Sequence, residues 1–418
     1  MWNYFTDPVL RAPTLGCMLM CLSASLMGVI VFLKKRSLVG ESISHASYPG
    51  IVIGLGIAIA LGIDGEITAF FFAILFSVFG LYAIDWLEKR GRVKPDAALC
   101  FMLSSFFGLG ILAVSFLQGL YPIAVKQAQM YLYGQAATMT DFHIMIYGIL
   151  ALLVTLFLTF AYRPLQAALF DRDFTLATAL SSKILPFVIS LFLLLVIVIG
   201  IRSVGVVLIS GMLIAPAVAA RQFTHKLSWM FILSGLFGTL SGFFGNLLAL
   251  EFSLPTGPMI VLSGTFFALF ALLFAPERGV VARLFRIFSF RQRSVEENIL
   301  KAIWKKEEVS LQDLRAMHHL SFPFLALLLS RMKRQGWLMA SKEKCALTID
   351  GRKRAARIVR LHRLWEAYLS HLGWPEEKVH RTAEEMEHIL TPDLEEKLAV
   401  WLSHPKMDPH AQPIPEKL

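Results

Sequence analysis

Apolar stretches of roughly twenty residues recur through the first two-thirds of the chain, set apart by short segments of Gly, Pro and basic residues. Nine such spans are legible, near residues 14–33, 46–63, 67–85, 96–116, 141–162, 182–200, 203–220, 228–248 and 257–275. Each is close to the ~20 residues that carry an α-helix across a bilayer core. They are too numerous and too interleaved for a cleaved leader to explain them. Near Ser294 the pattern changes to charged residues with apolar positions at helical spacing. Glu296 to Trp304 predicts a helix, and Val309-Ser310-Leu311-Gln312-Asp313-Leu314 predicts the start of a second, with Ser310 as its N-cap. Ser321-Phe322-Pro323 opens a third that runs to Gln335-Gly336, and Trp337 to Thr348 predicts a short two-stranded wing closed by Asp350-Gly351. That order fits a winged helix-turn-helix.

Composition agrees with a bilayer protein: 56% of the 418 residues are hydrophobic and only 17% are charged. A net charge of +10 would by itself suggest nucleic acid, but its distribution has a simpler cause. Lys34-Lys35-Arg36 follows the first span and Lys89-Arg90-Gly91-Arg92-Val93-Lys94 the third. Arg163, Arg172, Arg221, Lys226 and Arg278 follow the fifth, seventh and ninth. Connections after even-numbered spans, such as Gly62-Ile63-Asp64-Gly65-Glu66, carry few basic residues. Basic residues collect on cytoplasmic loops, so the N-terminus is expected outside and the charged tail inside. The four cysteines form no CxxC, which argues against disulfides and a thiolate zinc site. No GxxxxGK[ST] occurs, so the chain is expected to bind no nucleotide and to perform no ATP hydrolysis.

Three stretches of the apolar part carry polar or helix-disturbing residues. In Gly40-Glu41-Ser42-Ile43-Ser44-His45-Ala46-Ser47-Tyr48-Pro49-Gly50, which opens the second span, Glu41 and His45 stand four apart. On a helix they share a face. Ionisable groups at membrane depth usually face a cavity or a partner; an interfacial first turn in contact with headgroups is the plainer alternative. In Ser203 through Arg221, small residues permit close helix approach, and Pro216 frees backbone groups able to line a path. Arg163-Pro164 followed by Phe170-Asp171-Arg172-Asp173-Phe174 is a short amphipathic stretch on the inner side. It suits either docking to a cytosolic partner or an interfacial helix.

These stretches resemble the permease subunits of bacterial ABC importers for manganese, zinc and iron. Ser44-His45-Ala46 with Pro49-Gly50, Phe170-Asp171 with Phe174, Val204-Gly205 through Pro216-Ala217 and Arg221, and Leu254-Pro255-Thr256-Gly257-Pro258 match that family's motifs in order. Glu41 stands where the family often has Asp, which keeps the charge and lengthens the reach. The resemblance implies a multi-pass protein of the bacterial inner membrane with Glu41, His45 and Pro216 on the ion path. Phe170, Asp171 and Phe174 would then couple to a separate cytoplasmic ATPase. An extracytoplasmic metal-binding protein would deliver the ion, and a second copy or a sister permease would complete the pore in the lipid bilayer.

The tail has its own chemistry. His362 and Glu366 are four apart on a helix expected from near Gly351, while His380, Glu384, Glu387 and His388 fall on one helical stripe. Imidazole with carboxylate and no thiolate suits Mn²⁺ or Fe²⁺, with Zn²⁺ left open; a solvated Glu/His face is the plain alternative. Residues 294–418 resemble the diphtheria-toxin-repressor and manganese-repressor family through Leu361-His362-Arg363-Leu364-Trp365-Glu366, Val379-His380, Ala383-Glu384-Glu385-Met386-Glu387-His388 and Asp408-Pro409-His410-Ala411-Gln412-Pro413-Ile414-Pro415. The resemblance implies one site from His362, Glu366 and His380, and another from Glu384, Glu387 and His388 with Glu297 as an added ligand. Leu300 replaces a second carboxylate found in some relatives, so a weaker or altered second site is expected. The sequence stops at Leu418, and the family's optional SH3-like domain is expected to be absent.

The expected whole is an all-α polytopic membrane protein of about nine transmembrane helices, followed by a cytoplasmic winged helix and a helical metal-binding and dimerisation domain. The boundaries are 1–275 for the membrane part, 276–293 for a basic juxtamembrane linker along anionic lipid, 294–350 for the winged helix and 351–418 for the metal domain. The expected function is a permease of an ATP-driven importer of Mn²⁺, Fe²⁺ or Zn²⁺ with a metal-sensing tail. Alternatives are a membrane-tethered or proteolytically released repressor, and a tail whose metals only hold its fold. For operator DNA the candidate contacts are Ser321, Arg331, Lys333 and Arg334. Base readout needs polar side chains, however, and the presumed recognition helix reads Phe322, Phe324, Leu325, Ala326, Leu327 and Leu328.

Overall fold

Long apolar segments with few breakers become helices because, in lipid, every backbone polar group must find its partner within the element. The computed structural model describes residues 3–134, 136–170, 184–318, 321–340, 344–388 and 392–416. The chain forms two compact units, Met1–Arg283 and Leu284–Leu418.

In the first unit a short α1 (Asn3–Thr6) precedes α2 (Pro8–Leu33), α3 (Leu38–Leu61), α4 (Gly65–Lys89) and α5 (Pro95–Leu120). Then come α6 (Pro122–Tyr133), α7 (Asp141–Phe160), α8 (Tyr162–Phe170), α9 (Ile184–Val204), α10 (Ile209–Phe223), α11 (Leu227–Phe252) and α12 (Thr256–Phe274). Among the described residues eight helices are long and apolar enough to cross a membrane, namely α2 to α5, α7, α9, α11 and α12. The shorter apolar α10 makes about nine. Helices α2 and α3 are the most enclosed, since their Gly, Ala and Ser positions admit close neighbours. At Gly28 a Cβ would lie 1.8 Å from the Leu213 carbonyl oxygen, so α2 and α10 meet backbone to backbone. Interhelical hydrogen bonds add direction. Ser234 Oγ donates to the Ser25 carbonyl at 2.9 Å, and Asn246 Nδ2 donates to Thr14 Oγ1 at 3.0 Å. Phe71, Phe79, Phe101 and Phe116 on α4 and α5 are exposed, as suits side chains in contact with lipid tails.

Two features differ from the sequence reading. Helix α3 begins at Leu38, ahead of the span expected from residue 46, so Glu41 falls in its first turn and His45 one turn further in. Its serines permit this, because Ser42 Oγ donates to the Leu38 carbonyl, Ser44 Oγ to that of Glu41 and Ser47 Oγ to that of Ser44. Helix α6 was not expected. Its 12 residues are too few to cross a bilayer, and Ala124, Val125 and Ala128 are buried.

The second unit opens with α13 (Val280–Lys306), whose residues from Leu284 belong to it. Much of the expected basic linker is therefore helical. Next are β1 (Glu308–Ser310), α14 (Leu311–His318), α15 (Phe322–Arg334), β2 (Leu338–Ala340) and β3 (Lys344–Leu347), then α16 (Ile349–His371), α17 (Glu376–Met386) and α18 (Pro392–Trp401). The sheet has three antiparallel strands in the order β1-β3-β2, one more than the expected hairpin. Val309 opposes Cys345 and both are buried, so β1 is held by its place over the core. The N-cap expected at Ser310 is present, its Oγ accepting from the Asp313 N–H at 3.1 Å. Ile299, Leu300, Ile303, Leu314, Leu325 and Leu328 form the core beneath the sheet. Leu300, where a carboxylate would stand in some relatives, is fully buried there.

Candidate metal centre and transport path

Helix α16 starts cleanly because Thr348 Oγ1 accepts from the Gly351 N–H at 3.0 Å. It turns His362 and Glu366 to one side, both buried. Helix α17 presents His380 opposite them. Glu366 Oε1 lies 3.1 Å from His362 Nε2 and 2.7 Å from His380 Nδ1, and the two nitrogens are 3.2 Å apart. Three ligands each about 2.1 Å from one ion stand roughly 3.0–3.4 Å apart, for octahedral and tetrahedral angles respectively. Two edges of the observed triangle fall in that range and the 2.7 Å edge lies just under it, and two histidines with one carboxylate form a set that first-row divalent ions accept. The closing Asp408–Pro415 stretch braces α16. Arg360 donates to the Pro415 carbonyl at 2.7 Å, and Arg363 reaches Asp408 and the Pro413 carbonyl.

Electrostatics sharpen the triad. Burial by itself would raise the Glu366 carboxyl, but hydrogen bonds from His362 and His380 outweigh it and lower it to about 2. Burial pushes the His362 imidazole down, yet hydrogen bonds to Glu366 and Glu387 overcome both burial and the nearby Lys301 charge. Its pKa therefore ends above the ordinary 6.5.

The other expected ligands do not converge in the same way. Helix α17 closes at Met386 with Glu387 as its C-cap, so the stripe drawn through His380, Glu384, Glu387 and His388 does not continue as helix. Glu384 is exposed. Glu387 hydrogen-bonds His362 Nδ1 and Lys301, while His388 Nδ1 lies 2.8 Å from Glu297 Oε2. Burial raises the Glu297 carboxyl, but His388 and Arg293 more than offset this and its pKa is lowered. Lys301 was missed in the sequence. It sits four residues after Glu297 on the same helix face, but its partner is Glu387, remote in sequence.

Along α15, Leu325, Leu328 and Met332 face the core, leaving Phe322, Ala326, Leu327, Lys333 and Arg334 outward. Ser321 is the exposed N-cap residue. Arg331 is drawn to Glu296 at 3.5 Å.

In the membrane unit His45 is buried, edge-on to Phe107 with ring centroids 4.9 Å apart. Its Nδ1 has no hydrogen-bond partner. Glu41 is half-buried one turn earlier. Pro49 and Pro216 lie within α3 and α10 and carry no N–H, which leaves the His45 and Met212 carbonyls without their helical donors. Phe170 ends α8 and is exposed; Asp171 and Phe174 lie outside the described residues. Sequence reading also missed a polar cavity of about 360 Å³ lined by Asp64, Glu66, Gln127, Tyr131 and Arg202, where Arg202 pairs with Glu66 at 2.6 Å.

Bilayer-length helices interrupted by prolines, with a buried histidine in their midst, define a polytopic membrane permease, here joined to a helical unit with a His–Glu–His cluster. Residues 6–275 match the ABC 3 transport family, and the chain belongs to that family. Residues 348–416 match the iron dependent repressor, metal binding and dimerisation domain. The chain is 35% identical, over 99% of its length and 97% of the relative's, to a probable metal transport system membrane protein of Chlamydia trachomatis. It is 29% identical, over 89% of its length and 86% of the relative's, to the manganese transport system membrane protein MntC of Bacillus subtilis. Among solved structures, PsaBC from Streptococcus pneumoniae in complex with Fab is similar with a TM-score of 0.58 at 26% identity, covering 66% of this chain and 95% of that one.

Proposed function

We propose that the chain is the membrane-spanning subunit of an ATP-driven importer of Mn²⁺, Fe²⁺ or Zn²⁺, and that its C-terminal unit reads the cytoplasmic level of the same ion. The observation carrying this reading is the conjunction of a permease whose relatives are named for manganese and zinc transport with a His–Glu–His cluster in which His362 and Glu366 are buried and His380 is open to solvent. The N-terminus lies outside and the tail inside, an orientation that the basic connections after odd-numbered spans support. A separate ATPase docks on the inner side near Phe170, an external binding protein supplies the ion, and a second permease completes the path. Glu41 and His45 are the ion's protein contacts within the membrane. Buried imidazole nitrogen without a partner is costly, which supports a ligand role for His45.

The test is uptake of radioactive Mn²⁺, Fe²⁺ and Zn²⁺ by cells stripped of their own importers and supplied with the chain, its ATPase and its binding protein. Uptake of at least one ion should exceed background and fall at least about tenfold in His45→Ala, with the protein still inserted. Background uptake of all three ions would overturn the transport reading. A metal-dependent gel shift of the solubilised chain on DNA upstream of its own coding region, lost in Glu366→Gln, would assign the signal to transcription. The apolar first half of the outward face of α15, with Phe322, Ala326 and Leu327, speaks for a protein target instead.

A further inference from the structure

The resemblance to two-site repressors leads one to expect a second metal beside the His–Glu–His centre, but the residues present do not fit it. Lys301 Nζ lies 2.9 Å from Glu387 Oε2, 3.1 Å from Glu387 Oε1 and 3.1 Å from His362 Nδ1. An ion bound by Glu387 would sit about 2.0–2.2 Å from its oxygen, in the space this ammonium takes. Lys301 is only 7% exposed and the Glu387 side chain is wholly enclosed. A buried charge persists when it is paired and hydrogen-bonded, and each of these two supplies what the other needs. Nor do the remaining donors gather around a second seat. The Glu297 carboxylate holds His388 at 2.8 Å, Arg293 at 3.3 Å and Arg354 at 3.6 Å. Glu384 is exposed. Three side-chain cations, Lys301, Arg293 and Arg354, thus already neutralise the two enclosed carboxylates, Glu387 and Glu297, that a second ion would require.

We propose that this unit binds a single ion, at His362, Glu366 and His380, and that Lys301 is a tethered cation permanently filling the neighbouring seat. The proposal rests on reading the tail as a metal sensor. It also changes the role of Glu387. Its carboxylate meets His362 Nδ1, and a carboxylate there fixes the tautomer in which Nε2 offers its lone pair to a metal. Glu387 is a positioning residue, held in register by Lys301, and His388 with Glu297 ties the loop after α17 to α13. A sensor of this kind responds to one ion, without the pairwise filling that two adjacent seats allow.

The experiment is metal counting on the full chain in detergent, loaded with Mn²⁺ and freed of excess, with the Mn²⁺ paramagnetic resonance spectrum recorded alongside. A variant carrying His362→Ala, Glu366→Gln, Glu387→Gln and His388→Ala supplies the background from the membrane unit. The wild type should exceed that background by one ion per chain and show no exchange-coupled Mn²⁺ pair. Lys301→Glu should add a second ion and a coupled spectrum. Lys301→Met, similar in length and neutral, should admit the second ion at higher Mn²⁺ concentration. Two ions with a coupled spectrum in the wild type would overturn the proposal, whether or not the variants fold. No ion above background would sink the sensing reading itself, a result separable from the count of two.

Discussion

Glu366 receives two imidazoles on one carboxylate oxygen, and this shared atom determines how the site responds to protons. Its depressed pKa, about 2 against an ordinary 4.5, gives stability that is present above the unfolded value and lost only as pH falls through the folded one. His362 works in the opposite sense. Its pKa lies above the unfolded 6.5, so its contribution to the metal-free fold is complete below 6.5 and disappears as pH rises through the folded value. Metal reverses this trend, because a ligating imidazole must give up its proton. The unfolding midpoint of the tail should therefore fall between pH 6 and 8.5 without metal and rise over the same range with saturating Mn²⁺. Calorimetry of the solubilised chain checks both slopes. Parallel slopes would mean that His362 does not exchange a proton for the ion. Residue identities and the 362/366 spacing made this triad legible in sequence. Lys301 was overlooked because a lysine on an amphipathic helix reads as solvated until the buried Glu387 is seen beside it.

The limits of one-dimensional reading are clearest at the elements. Spans were legible because their length and apolarity have no other cheap solution in lipid. Helix α6 was not, since twelve residues with Lys126 and Gln127 give no bilayer signal, and β1 is a strand only through its pairing with β3. The stripe through His388 failed for a related reason: periodicity assumes a helix that here ends at Met386. Gly205 shows what a motif residue does locally. It links α9 to α10 at φ +93, and a Cβ there would lie 2.6 Å from the Leu132 carbonyl oxygen. An L-residue pays about 1–2 kcal/mol for left-handed backbone, and the clash adds to it. Gly205→Ala should lower the melting midpoint of the membrane unit in detergent by several degrees, and Gly205→Val by more. An unchanged midpoint for both would show that the turn relaxes freely.

At the scale of the whole molecule, one covalent chain fixes one reading unit for each permease. That stoichiometry suits feedback on transport better than feedback on a promoter. An ion can shift a two-state permease only through different affinities for its two states, and taking the balance from 1:99 to 99:1 requires about 5.5 kcal/mol of such difference. By linkage the resting conformation must then bind the tail's ion more tightly by the same factor. In vesicles holding the assembled transporter, Mn²⁺ on the tail's face should therefore slow ATP-driven uptake, with half-inhibition near the tail's own dissociation constant. Glu366→Gln should raise the half-inhibiting concentration at least about tenfold while leaving the uninhibited initial rate unchanged, because Glu366 has no place on the transport path. Inhibition that is identical in the variant would move the feedback to an ion site within the membrane unit. Absence of inhibition together with a metal-dependent DNA shift would transfer the signal to transcription.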